Sequence, residues 1–189
     1  MESALEAIAE GGVAAVSVAD VGRRVGVSAA APYRHFANRQ ALLVAVAIEV
    51  ARSLADRLAA VRDERPAASP VDLLAGFAAC YTRFHLERGA GLDLIYRAEL
   101  RELEDVELAR EGRRVMDVVL SVAWDIAGTA EGGIALLEQV FAVAHGYAQM
   151  FLIALLSRRL LEPGDAAESA GNTVRLIAEA TASRAAAGR

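Results

Sequence analysis

The sequence predicts an all-α protein of about nine helices, because three features of composition and pattern point the same way. Alanine fills 42 positions and leucine 22, against four threonines and four prolines. Ala and Leu lose little on entering a helix, whereas threonine loses rotamer freedom and proline removes a backbone donor. Apolar residues recur at helical spacing through most of the chain, and no stretch alternates as a half-buried strand would. The breaks between the periodic runs carry helix caps, glycines and prolines. With 189 residues, 55% hydrophobic and 24% charged, the chain can bury one sizeable core or two small ones, which excludes a disordered segment.

Each helix has a local justification. Leu5, Ile8 and Ala9 form a short apolar stripe expected to end at Gly11-Gly12. Ser17 can cap a two-turn helix that ends before Gly26, with Asp20 as the acid at its third position. Ser28 is the next candidate cap, for a short helix reaching Phe36. Pro32 disfavours the helical region in the residue before it, so the regular part is expected from Ala31 or Pro32. Asn38 can cap a long helix carrying Leu42, Val46, Val50, Leu54, Leu58 and Val61. After the polar connection 63–69, Ser69-Pro70-Val71-Asp72 supplies a cap, a proline at the first position and an acid at the third.

The helix that follows carries Leu74, Phe77, Ala78, Tyr81, Phe84 and His85 on one side and is expected to end near Gly89. Residues 92–100 form a short segment ahead of a helix over about 105–127. Thr129 can cap a very long helix, 130–161, stopped by Pro163-Gly164; Asp165 with Glu168 then opens a last helix over 166–186. Within the long helix, residues 140–156 are mostly apolar, but His145, Gly146 and Gln149 interrupt them. They fall short of the roughly 20 apolar residues of a bilayer span, and a core helix covered on every side is the expectation.

The single cysteine excludes a disulfide framework, and no basic, apolar leader opens the chain, so a cytoplasmic setting is expected. Net charge is −5, and all 20 basic residues are arginine. Alone, that balance argues against a nucleic-acid partner. The distribution argues the other way. Residues 21–48 hold Arg23, Arg24, Arg34 and Arg39 and no acid, whereas residues 49–189 hold 16 arginines against 21 acids. A small basic surface on an acidic body suits a DNA-reading segment joined to a regulatory one, with chance clustering as the alternative.

Gly26-Val27-Ser28 between two short helices makes a candidate helix-turn-helix, with Val18, Val21 and Val25 as the seam of its first helix. Any helical corner holds a glycine and a few valines, so the pattern is weak by itself. Tyr33-Arg34-His35-Phe36 followed by Ala37-Asn38-Arg39-Gln40-Ala41-Leu42-Leu43 makes it specific. In this order and spacing, residues 5–46 resemble the TetR family of transcriptional regulators. Phe141-Ala142-Val143-Ala144-His145-Gly146, with Tyr81-Thr82-Arg83-Phe84 upstream, is similar to the WHG-type regulatory domain of part of that family. The tryptophan that names that motif is absent here.

The resemblance implies a three-helix helix-turn-helix DNA-binding domain over residues 1–46 and a helical ligand-binding and dimerisation domain over 47–189. It implies a ligand-responsive regulator, a repressor, that binds a palindromic double-stranded DNA operator as a homodimer and is released by a small hydrophobic effector. The last two helices would pair with those of the mate, the final one through a stripe of Ala170, Val174, Ile177 and Thr181.

By position, Tyr33, His35 and Arg39 match the family's phosphate contacts, and Ser17 and Ser28 stand at helix starts where hydroxyl and N–H groups can hold phosphate. The reading edge departs from the family pattern, with Ala29, Ala30 and Ala31 where polar or long side chains are usual. Alanine offers a base edge only a methyl contact with thymine, so specificity would rest on Arg34, thymine methyls and DNA shape. Plainer roles stay open: Tyr33 as a packing plug, His35 as a surface or capping residue, and the alanines as room for close approach. Relatives carry a longer, basic first helix, whereas Glu2, Glu6 and Glu10 make this one acidic; a segment ahead of Met1 is expected, with DNA binding by a shortened first helix as the alternative.

In this family an effector enters among the later helices, and the candidate lining here is Leu74, Phe77, Tyr81, Phe84, His85, Tyr96, Met116, Trp124, Phe141, His145, Tyr147 and Phe151. Pockets are mostly apolar with a few orienting polar groups, and so is an ordinary core. Enzyme chemistry finds no support. The three histidines stand 50 and 60 residues apart, without HExxH spacing, a Cys–His cluster or a phosphate-cradling glycine loop. No catalytic residue, metal, cofactor or membrane partner is expected. Two classes stay open, the effector-responsive regulator and a DNA-binding dimer that is constitutive or architectural.

Overall fold

The computed structural model describes residues 1–28, 30–88, 92–155 and 162–187. Among the described residues every regular element is helical. In order they are α1 (Glu2–Ala15), α2 (Val18–Arg24), a 3-10 turn (Ala31–Arg34), α3 (Arg39–Asp63), α4 (Pro70–Arg88), α5 (Asp93–Tyr96), α6 (Ala98–Arg101), α7 (Val106–Ala127), α8 (Ala130–Leu152) and α9 (Pro163–Ala187). No helix of the described residues is long and apolar enough to cross a membrane.

Four predicted caps form as the local chemistry requires. The side-chain oxygens of Ser17, Asn38, Ser69 and Thr129 accept from the N–H groups of Asp20 (3.1 Å), Ala41 (2.9 Å), Asp72 (3.1 Å) and Gly132 (3.1 Å). Each satisfies a backbone donor that the first turn leaves without a helical partner.

Other boundaries differ, for physical reasons. Gly12, at φ 74° and ψ 169°, does break the helix where the sequence expects it to end, and a further short helical piece carries α1 on to Ala15. The expected helix from Ser28 to Phe36 is reduced to the 3-10 turn, with Ala30 at its cap and no side-chain cap bond. Ser28 contributes only its carbonyl, which accepts from Ala31 N–H at 3.0 Å. α8 ends at Leu152, and residues 156–161 of the expected 130–161 helix lie outside the described residues. Pro163, read as a stop, opens α9 instead, with the Asp165 carboxylate accepting from Glu162 N–H at 3.0 Å. Proline suits a first helical turn because its missing donor would have no helical partner there.

Two compact units result, Met1–Ser53 with Arg88–Arg113, and Leu54–Glu87 with Arg114–Arg189. In the first, Leu5, Ile8, Val16, Val18, Leu42, Leu43, Val46 and Val50 are buried. α2 meets the 3-10 turn so closely that a Cβ on Gly22 would lie 2.6 Å from Pro32 Cγ. Arg52 on α3 reaches Glu107 at 2.7 Å, tying the start of α7 into this unit.

In the second unit α4, α7, α8 and α9 bury Leu74, Phe77, Phe84, Val115, Val119, Leu136, Val140, Ala144, Ala170 and Val174. A Cβ on Gly171 would stand 3.0 Å from the Ala75 carbonyl, so α9 lies close against α4. Arg175 pairs with Asp72 across the same contact and holds that carboxyl below its ordinary range. Thr82 Oγ1, fully buried, lies 2.9 Å from the Ala78 carbonyl and 3.0 Å from that of Ala144. Burial pushes the Cys80 thiol up, in keeping with an apolar filler. Half of the stripe read as a mating surface faces inward, since Ala170 and Val174 are buried within the chain while Ile177 and Thr181 are half-buried; Leu176, 67% exposed, is the large apolar side chain that α9 turns outward.

The Gly22–Pro32 contact leaves no room for a branched side chain. Gly22→Val should lower stability by about 1–3 kcal/mol through overpacking. Thermal denaturation checks this, and an unchanged melting temperature would show that the turn yields freely.

Candidate functional site

The exposed end of the first unit is built by three constraints. Gly26, at φ 75°, ends α2. Pro32 starts the tight turn, and the carbonyl of Pro32 accepts from His35 N–H at 3.0 Å and Phe36 N–H at 2.9 Å. Asn38 then caps α3. Half-buried Phe36 anchors this loop, while Tyr33 (50% exposed), Arg34 and His35 point to solvent in succession. Ala30 is exposed, Ala31 and Ser17 are half-buried, Ser28 is exposed, and Ala29 lies outside the described residues.

The four arginines of the basic window have different fates. Arg23 pairs with Asp20, and Arg24 donates to Glu10 at 2.6 Å. That bond lowers the Glu10 pKa and raises that of Arg24. Arg39 donates through Nε to the Val16 carbonyl at 2.9 Å and through Nη2 to that of Val13 at 2.5 Å, closing the end of α1. Arg34 has no ion pair or side-chain hydrogen bond among the described residues. The window is therefore less basic than its sequence, because acids outside it fold onto two of its arginines.

In the second unit a polar-aromatic cluster joins α4 to α8. The Tyr81 and Phe141 rings meet edge-on at 5.2 Å between centroids, and His85 and His145 meet edge-on at 4.9 Å. Tyr81 Oη lies 3.3 Å from His145 Nδ1, and Gln149 Nε2 lies 3.2 Å from His85 Nε2. His85 is 1% exposed and His145 half-buried. Leu74, Phe77 and Phe84 are core residues of the same unit, with the Arg62 guanidinium 6.0 Å over the Phe77 ring and that of Arg57 5.1 Å over Phe84.

The remaining lining candidates scatter. Tyr147 turns to α9, its hydroxyl 3.1 Å from Thr173 Oγ1. Trp124 is 49% exposed, and Met116 and Phe151 are half-buried on their own helices. Tyr96, 38% exposed, belongs to the first unit.

Residues 1–46 match the sequence profile of the bacterial regulatory proteins of the tetR family. Over these residues the chain is of the tetR-family type. Solved structures of like fold cover more than nine-tenths of the chain. A protein of unknown function from Rhodococcus sp. RHA1 is 24% identical, with a TM-score of 0.76 over 93% of this chain and 91% of its own. A tetR-family regulatory protein from Rhodococcus RHA1 is 19% identical, with a TM-score of 0.73 over 94% and 93%. FadR from Bacillus subtilis, solved in complex with stearoyl-CoA, is 18% identical, with a TM-score of 0.64 over 94% of each chain. At these identities the likeness concerns the fold. No curated protein matches the sequence.

Sequence reasoning named Glu10, Asp20 and Gln149 but missed the partners they take, Arg24, Arg23 and His85. Asp20 stands three residues before Arg23, a spacing that pairs side chains on one helix face. Gln149 follows His145 by four and Phe141 by eight, so extending the α8 face would have set it with them. Glu10 meets Arg24 across 14 residues and left no such sign.

Arg39 holds two carbonyls at the end of α1, so Arg39→Ala should lower stability by about 1–3 kcal/mol even without DNA. Urea denaturation of the isolated protein measures this. A variant of wild-type stability would mean that the guanidinium does not secure the end of α1.

Proposed function

We propose that the chain is a TetR-family regulator that binds double-stranded DNA through residues 1–46 and acts as a repressor, with residues 47–189 serving effector binding and dimerisation. The observation that carries the reading is the exposed Tyr33-Arg34-His35 run, in which Arg34 is the arginine of the basic window with neither an ion pair nor a side-chain hydrogen bond among the described residues. A guanidinium in that state is available to a phosphate or to a guanine edge, whereas Arg23 and Arg24 would first have to exchange their carboxylates. Tyr33 and His35 flank it as phosphate contacts. Ser17, Ser28 and residues 29–31 complete the proposed face, and Arg39 sets the start of α3 behind it.

A small hydrophobic effector is proposed for the second unit, where the rings of Tyr81, His85, Phe141 and His145 gather between α4 and α8 with a few polar groups to orient it. The stearoyl-CoA complex of the similarly folded Bacillus subtilis FadR makes acyl compounds the first class to try. The constitutive or architectural alternative is favoured by the full burial of Leu74, Phe77 and Phe84, which work as ordinary core.

Selection of bound fragments from random DNA should return a palindrome, and Arg34→Ala should weaken binding to it with a salt slope reduced by about 1 if the contact is to phosphate. Acyl-CoA esters and free fatty acids, screened by thermal shift, should raise the melting temperature and release the selected DNA in fluorescence anisotropy. Stable DNA binding that none of them alters would favour the constitutive dimer.

The homodimer is proposed to form through the outer faces of α8 and α9, where Ile134 and Leu176 are exposed. Leu176→Arg should halve the sedimenting mass with the helical circular dichroism unchanged. A dimer that survives the substitution would move the interface elsewhere.

A further inference from the structure

His85 and His145 stand 60 residues apart and share no ligand spacing, yet α4 and α8 bring them together in the second unit. A ring nitrogen of each lies within 4.8 Å of the other, and the rings are set at 86°. Each ring also has a polar partner on one nitrogen, Tyr81 Oη on Nδ1 of His145 and the Gln149 amide on Nε2 of His85. We propose that His85 and His145 together bind one divalent first-row transition-metal ion of the zinc–nickel type.

Imidazole nitrogens suit these ions, whereas magnesium and calcium demand oxygen ligands. A ligating histidine characteristically gives its other N–H to an outer partner, which fixes the tautomer and the ring plane. Both partners here can take that role. The Tyr81 hydroxyl accepts from Nδ1–H of His145, which leaves the lone pair on Nε2. A half-turn of the Gln149 amide sets its Oε1 against Nε2–H of His85, which leaves the lone pair on Nδ1. The remaining coordination positions fall to water, which reaches half-buried His145.

The site lies among residues assigned above to the effector cavity, but the ion is measured without DNA or organic effector, so this inference stands or falls apart from that reading. Untagged, metal-stripped full-length protein is titrated with Ni²⁺ by calorimetry, and the Co²⁺ derivative is examined by visible absorption. The expected result is one ion per chain, with a Co²⁺ spectrum of nitrogen ligation. His145→Gln should weaken Ni²⁺ binding at least about tenfold, and Tyr81→Phe, which keeps the ring and removes the outer hydroxyl, by about 10–100-fold. His85 is buried, so these two variants, which disturb the core less, carry the test. No bound Ni²⁺, or a His145→Gln protein that binds it as tightly as wild type, overturns the proposal.

Discussion

The carbonyl oxygens at the end of α1 need donors, and a side chain from the start of α3 supplies them. Arg39 spans from its own helix to Val13 and Val16, and the segment between includes α2 and the 3-10 turn. The segment proposed to meet DNA therefore hangs between two fixed points. The short distance between Gly22 and Pro32 adds a third, so a turn with only four residues of regular structure has a defined place. A long helix would hold itself by its own ladder, whereas this turn is held by its neighbours.

That arrangement changes how the charge of the first unit is understood. A protein of net charge −5 has little long-range attraction for DNA, and two of the arginines in its basic window are occupied by acids. On the proposed reading, encounter with DNA would owe less to steering and more to close fit around Tyr33, Arg34 and His35. Methyl groups at residues 30 and 31 allow the backbone to come near without presenting a donor of their own.

Sequence was most informative where the physics is local. Ser17, Asn38, Ser69 and Thr129 each bond a donor three residues away, and their helices begin where those residues place them. Pro163-Gly164 was ambiguous, since proline both follows helices and opens them, and the Glu162–Asp165 bond that decides the matter is a detail of the fold. The stripe through Ala170 and Val174 gave the period of α9 but not which neighbour would cover it. The burial around Gly171 shows that the chain's own α4 does. The histidine pair and the Glu10–Arg24 bond were illegible because residues far apart make them, and composition holds no record of which helices meet.

Thr82 carries one further consequence. Surfaces lined with alanine are smooth, and two helices so faced can slide along one another at little cost in packing. The Thr82 hydroxyl, shared between carbonyls of α4 and α8, interrupts that smoothness like a tooth in a notch. A slide of half a helical turn, about 2.7 Å, would carry the Ala144 carbonyl away and leave a buried hydroxyl with its own helix alone. The Thr82 bond thus favours registers of α4 against α8 that set a carbonyl opposite it.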